Sequence, residues 1–179
     1  MTASPDAEFE RFLLANEDAQ LVMGVRESAT PWAGSPFEWI MSLASRSRGK
    51  AGEELAAAWL RRIGMTVALP RNSGHDRLVS NVPIEVKLST LWQSGQYVFQ
   101  QLRDQDYAYA LLMGISPNTV SMWLPSKAAA FDHAIPQHGG VTGTDTRWLR
   151  FDATAPPPWL SSYGGTLEQC AEVVRQSLG

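Results

Sequence analysis

Asp76, Glu85 and Lys87 fall close together in this sequence, within Gly74-His75-Asp76 and Ile84-Glu85-Val86-Lys87, and are of the types that metal-assisted phosphodiester cleavage uses. A hard cation such as Mg2+ is bound by one or two carboxylates, keeps several waters and takes substrate phosphate oxygens in its remaining positions. A metal so held lowers the pKa of a bound water and stabilises charge on the phosphoryl group during in-line displacement. Asp76 and Glu85 would supply the carboxylate pair. Lys87 would orient or deprotonate the attacking water, or offset the charge that builds on phosphorus. Nearby carboxylates pull its pKa up and burial pulls it down. The plain alternative is a solvated strand face carrying an ion pair worth less than about 1 kcal/mol. Scarcity weighs against that alternative: Lys50, Lys87 and Lys127 are the only lysines, and Glu85-Val86-Lys87 is the only acid-x-lysine triplet.

These side chains need elements to hold them. Val82 to Leu88 alternates apolar and polar residues with period two, which predicts a half-buried strand with Glu85 and Lys87 on one face. Pro83 stands at its opening, where a missing N–H is tolerated. Ser80-Asn81 reads as a turn, and His75 to Val79 as a strand returning antiparallel, so that Asp76 lies across from Glu85. Upstream, Leu55, Trp59 and Ile63 recur at helical spacing within Gly49 to Ile63. The acidic pair Glu53-Glu54 is expected in the first turn, arginines in the last, and Gly64 at the cap. Met65 to Leu69 reads as a strand closed by Pro70. After Lys87 come a polar connector, a helix expected over Gln96 to Asp104, a strand from Tyr107 to Met113, a Ser116-Pro117-Asn118 turn and a strand from Thr119 to Leu124.

With the acidic pair on the second and third strands, this order resembles the PD-(D/E)XK nuclease superfamily, whose core is α-β-β-β-α-β, over about Gly49 to Trp123. Asp76 matches the central aspartate and Glu85-Val86-Lys87 the acid-x-lysine signature; Gly-His replaces the proline before the aspartate. Gly49-Lys50-Ala51-Gly52-Glu53 looks like the glycine-to-glutamate helix start, with Glu53, or alternatively Glu54, as a supporting acid. Phe99-Gln100-Gln101-Leu102-Arg103 lies where members place an auxiliary glutamine or basic residue. On a helix the two glutamines would point about 100° apart, so at most one, Gln100 or Gln101, is expected to face the site. The resemblance implies an α/β fold of restriction-endonuclease-like type, its mixed central sheet flanked by helices, with a helical N-terminal extension. It implies a Mg2+-dependent DNA endonuclease, with Mn2+ able to substitute, leaving a 5′-phosphate and a 3′-hydroxyl and working as a homodimer if both strands are cut. A restriction-type, defence or phage nuclease is the first reading. A Holliday-junction resolvase or repair endonuclease with the same core is the second, and a DNA-binding protein that keeps the fold without turnover is the third.

Length and composition predict a single soluble globular domain over residues 1–179. It divides into a helical extension (1–45), a catalytic core (46–125) and a C-terminal loop, strand and helix (126–179). No apolar run is long enough to span a membrane, no secretory pattern is visible, and the lone Cys170 has no disulfide or zinc partner; cytoplasmic residence is the expectation. The net charge of −3 argues mildly against a nucleic-acid coat. Its distribution matters more, because the first 45 residues are acidic whereas 46–77 are basic. Arg46, Arg48, Lys50, Arg71 and Arg77, with Arg103 beyond, are candidate phosphate contacts. Arg61 and Arg62 fit a solvated last turn equally well. His75 reads as a solvated turn histidine before a proton shuttle. Trp32, Trp39, Trp92, Trp148 and Trp159 read as core unless exposed for base stacking.

Overall fold

The computed structural model describes residues 5–23, 32–70, 72–136 and 146–179. Arg71, a candidate phosphate contact, and residues 137–145 of the C-terminal part lie outside them. The chain forms helices α1 (Pro5–Met23), α2 (Glu38–Ser42) and α3 (Ser45–Arg62), then strands β1 (Val67–Ala68), β2 (Arg77–Val79), β3 (Val82–Thr90), β4 (Gln96–Arg103), β5 (Tyr109–Ile115) and β6 (Val120–Trp123). Helix α4 (Lys127–His133), strands β7 (Ile135–Pro136) and β8 (Thr146–Asp152), a 3-10 turn (Pro158–Tyr163), strand β9 (Gly164–Gly165) and helix α5 (Leu167–Leu178) complete it. This is a mixed α/β fold. One mixed sheet runs β1-β2-β3-β5-β6-β9, with β3 and β5 parallel and the other neighbours antiparallel; a second, antiparallel sheet runs β4-β8-β7.

Alternation along β3 and β5 sorts residues between two cores, as a two-residue side-chain period requires. Ile84, Val86, Leu111, Met113 and Ile115 join Leu55, Trp59, Phe12, Phe37 and Val174 in a cluster beneath the helices. Ala110 and Leu112 join Tyr97, Phe99, Leu102, Trp123, Leu149 and Phe151 in a second cluster between the sheets. The N-terminal segment is therefore part of the main core. Phe12 and Phe37 meet edge to face at 6.0 Å, and buried Asn16 accepts from Trp39 Nε1 at 2.7 Å while donating to Pro36 O at 2.9 Å. Thr166 caps α5 in a reciprocal capping box with Gln169.

The expected helix over Gln96 to Asp104 is instead β4. Tyr97, Val98 and Phe99 favour a pleated surface, and the deciding partner is far along the chain: β8 pairs with it antiparallel, and Tyr97, Phe99, Trp123 and Phe151 pack with ring centroids 5.3–6.4 Å apart. The connection between parallel β3 and β5 thus passes through a strand of the second sheet. Helix α3 begins at Ser45 rather than Gly49, which puts Glu53 and Glu54 in its middle and leaves its first turn without an acid. The strand expected over Met65 to Leu69 shortens to Val67–Ala68. No helix among the described residues is long and apolar enough to cross a membrane.

Candidate active site

The β2–β3 hairpin sets the position of Asp76. Val79 pairs with Val82 across a two-residue turn in which Ser80 (φ 48°) and Asn81 (φ 70°) both take the left-handed backbone that such tight hairpins demand. Pairing runs back to Arg77 opposite Ile84, and one residue further Asp76 N–H donates to Ile84 O at 3.0 Å. Asp76 therefore faces Glu85 across the hairpin, as its sequence predicts. There β2 ends, and Asp76 Oδ2 takes over the ladder by accepting the Val86 N–H at 2.7 Å.

Glu85 and Lys87 share the other face of β3 and bond to each other, Nζ to Oε1, at 2.6 Å. Glu85 is only 5% exposed. Burial pushes its carboxyl above the usual range; Lys87 pulls it down, while the charge of Asp76 and a hydrogen bond with it push it up again. Two carboxyl groups this close repel when both are ionised, and a shared proton or a cation relieves that.

Helix α3 forms the next wall. A Cβ on Gly52 would lie 2.7 Å from Leu88 Cβ, so glycine lets the helix sit directly on β3. Its neighbours Glu53 and Glu54 both reach the Arg77 guanidinium, at 3.1 and 2.9 Å, and Lys50 bonds to the same two carboxylates at 3.3 and 2.8 Å. Burial alone would raise Glu54, but the Lys50 hydrogen bond and the Arg77 charge outweigh it and hold the carboxyl low. The same hydrogen bond raises Lys50.

Between α3 and β4 lies a groove of about 630 Å³, lined among others by Arg46, Arg48, Glu53, Asp76, Lys87, Trp92, Gln100 and Gln101. Asp76, Lys87 and Glu53 thus converge on one space, with Glu85 recessed behind Lys87. Glu54 lines a separate cavity of about 360 Å³ with Asp18, Arg61 and Arg62. Both glutamines reach the groove, contrary to the expectation that only one would, because β4 bulges where they sit. Arg46 is exposed on the rim, whereas Arg48 is tied to the carbonyls of Leu43 and Met41 at 3.1 Å. Arg77, expected at phosphate, is 2% exposed and engaged by Glu53 and Glu54; its place is structural. Lys50 stands on the same helix outside the groove lining, and Arg103 is exposed on β4, 3.4 Å from Gln101 Oε1. His75, read as solvated, is buried, and neither ring nitrogen has a hydrogen-bond partner among the described residues. Of the tryptophans, Trp92 is 47% exposed and lines the groove, while Trp32 and Trp39 are core.

Tyr107 is a neighbour that the sequence reading passed over as the start of an apolar strand. Its hydroxyl is buried with no hydrogen-bond partner among the described residues; burial first, then the charges of Glu85, Asp104 and Asp76, drive its pKa far up. No group of three or more His, Cys, Asp or Glu residues among the described ones gathers into a metal cage. The all-oxygen pair Asp76 and Glu85, open to the groove through Asp76, fits an ion that keeps most of its waters, the habit of Mg2+ and Mn2+. No protein-family model matches this chain, and no curated protein matches it.

Proposed function

We propose that this groove hydrolyses DNA phosphodiester bonds with the help of a divalent cation. The observation that carries the reading is the convergence of Asp76, Lys87 and Glu53 on one groove, with the Glu85 carboxyl drawn against both Asp76 and Lys87. A helix followed by three antiparallel strands, with Asp76 just ahead of the second, Glu85 on the third and a parallel strand beyond, supports the restriction-endonuclease-like core; the strand crossover in place of a helix is this chain's departure from it.

In this reading Asp76 and Glu85 hold Mg2+ or Mn2+, which supplies an acidified water and charge stabilisation at phosphorus when bound. Asp76 is fixed in aim by the Val86 amide. Lys87 leaves its pairing with Glu85 to hold the attacking water or the developing charge, and the ammonium is free to do so once Glu85 has another partner. Glu53, steadied by Arg77, orients water on the helix side. Arg46 on the rim holds the DNA backbone. The ε-ammonium of Lys50 stays near the carboxylates of α3, and Arg103 stands within reach of a strand end. Cutting both strands calls for two such grooves, hence a homodimer; a restriction-type or other defence or phage nuclease, resident in the cytoplasm, fits this best.

Purified protein incubated with supercoiled plasmid, linear duplex and branched DNA tests it. Cutting in Mg2+ or Mn2+, abolished by EDTA and reduced about 10²–10⁴-fold in Lys87→Ala, is the expected result. Cutting confined to branched DNA would reassign the protein to junction resolution. Binding with no cutting of any substrate would overturn catalysis.

A further inference from the structure

The β4 wall has a feature that hydrolysis does not require. Tyr97 and Phe99 point into the aromatic cluster, so a regular strand would send Gln101 in after them and turn Leu102 outward. The register with β8 instead steps by one: Phe99 lies opposite Leu149 and Leu102 opposite Arg147, so Gln100 and Gln101 together face the single position Trp148. Gln101 takes φ 58°, a left-handed conformation unusual for a non-glycine residue. The bulge returns Leu102 to the core, where it is fully buried, and delivers two adjacent amides to the groove. Gln100 is half-buried there, and its amide has no hydrogen-bond partner among the described residues; Gln101 has only the long contact with Arg103. Exposed Trp92, in the turn leading to β4, borders the same space.

The two sides of the groove differ in charge. The α3 side carries exposed Arg46, suited to phosphate, while the β4 side offers two neutral amides and an indole. A carboxamide presents a donor and an acceptor in one plane, which matches the N6 and N7 edge of adenine, and an indole offers a face for stacking. We propose that Gln100 and Gln101 read an adenine next to the phosphate that is cut, with Trp92 as a stacking platform for a neighbouring base. The inference rests on the DNA-cleaving reading of the same groove.

A pool of duplexes with randomised positions tests it in two arms: the fraction bound in Ca2+ and the fraction cut in Mg2+ are sequenced separately. The full-length protein should enrich adenine at one position about tenfold or more in the bound fraction. Gln100→Ala and Gln101→Gly should flatten that enrichment, and Gln101→Gly, freed of left-handed strain, should melt no lower than the parent. Enrichment that survives both substitutions, binding without base preference, or preference for a base other than adenine overturns the proposal. The bound arm judges the reader even if nothing is cut, and a flat bound arm beside efficient cutting removes the reader while leaving the hydrolytic reading intact.

Discussion

The two walls of the groove are built by opposite means. The α3–β3 wall is held by charge: a buried guanidinium locks two helix carboxylates, a lysine on the same helix joins them, and glycine lets helix and strand touch. The β4–β8 wall is held by aromatic rings packed edge to face and tilted, and pays for its shape with one strained residue, Gln101. Rigid electrostatic framing suits groups that must hold a cation, whereas a ring-packed strand tolerates a bulge that re-aims side chains. Substitutions should therefore act differently on the two sides.

The largest effect is expected from Arg77→Met. It leaves Glu53 and Glu54 without their buried partner, and denaturant unfolding should show a loss of about 3 kcal/mol; Mn2+ uptake by calorimetry should weaken with it. Next come two glycines. Gly52→Ala drives a Cβ toward Leu88, and Gly114→Ala drives one to 2.6 Å from the Tyr97 ring. Each should cost about 1–3 kcal/mol by overpacking, but only Gly52→Ala should weaken metal uptake as well. Equal losses of uptake would erase the distinction between the walls.

Gln101→Gly should instead gain about 0.5–1 kcal/mol in the same unfolding measurement, the relief of left-handed strain less the added freedom of glycine in the unfolded chain. The smallest effects are in pH. Glu54 is held below its ordinary value of 4.5, so its contribution is complete above that pH and is lost as pH falls through the lowered value. Glu85 is raised, so its contribution is complete below 4.5 and fades as pH rises through the raised value. Thermal melts across pH should accordingly show Glu54→Gln flattening the acid limb, and Glu85→Gln melting higher near neutrality while losing affinity for Mn2+.

The same division governs what the sequence reveals. Asp76, Glu85 and Lys87 could be placed because one hairpin turn and a two-residue period fix their relation, and both are local. Helix α3 was legible from Leu55, Trp59 and Ile63, though its start was not, since no capping side chain marks Ala44. β4 was misjudged because what makes it a strand is pairing with Thr146–Asp152, for which neighbouring residues hold no signal. Its local hint was Tyr97-Val98-Phe99, whose residue types favour a pleated surface. Arg77 looked like a surface cation because nothing in the sequence shows that Glu53 and Glu54 close over it.

The Ser80–Asn81 turn is a gauge for the distance between two carboxylates. Its two residues set which rung of the hairpin Asp76 occupies, so its length, and not its chemistry, is what the pair depends on. Asn-Gly there would suit the left-handed backbone equally well and leave Asp76 facing Glu85. One inserted residue would slide the strands past each other, carry Asp76 to the opposite side of the sheet and leave the Val86 amide without its acceptor, with every acidic and basic group of the groove still present in the chain.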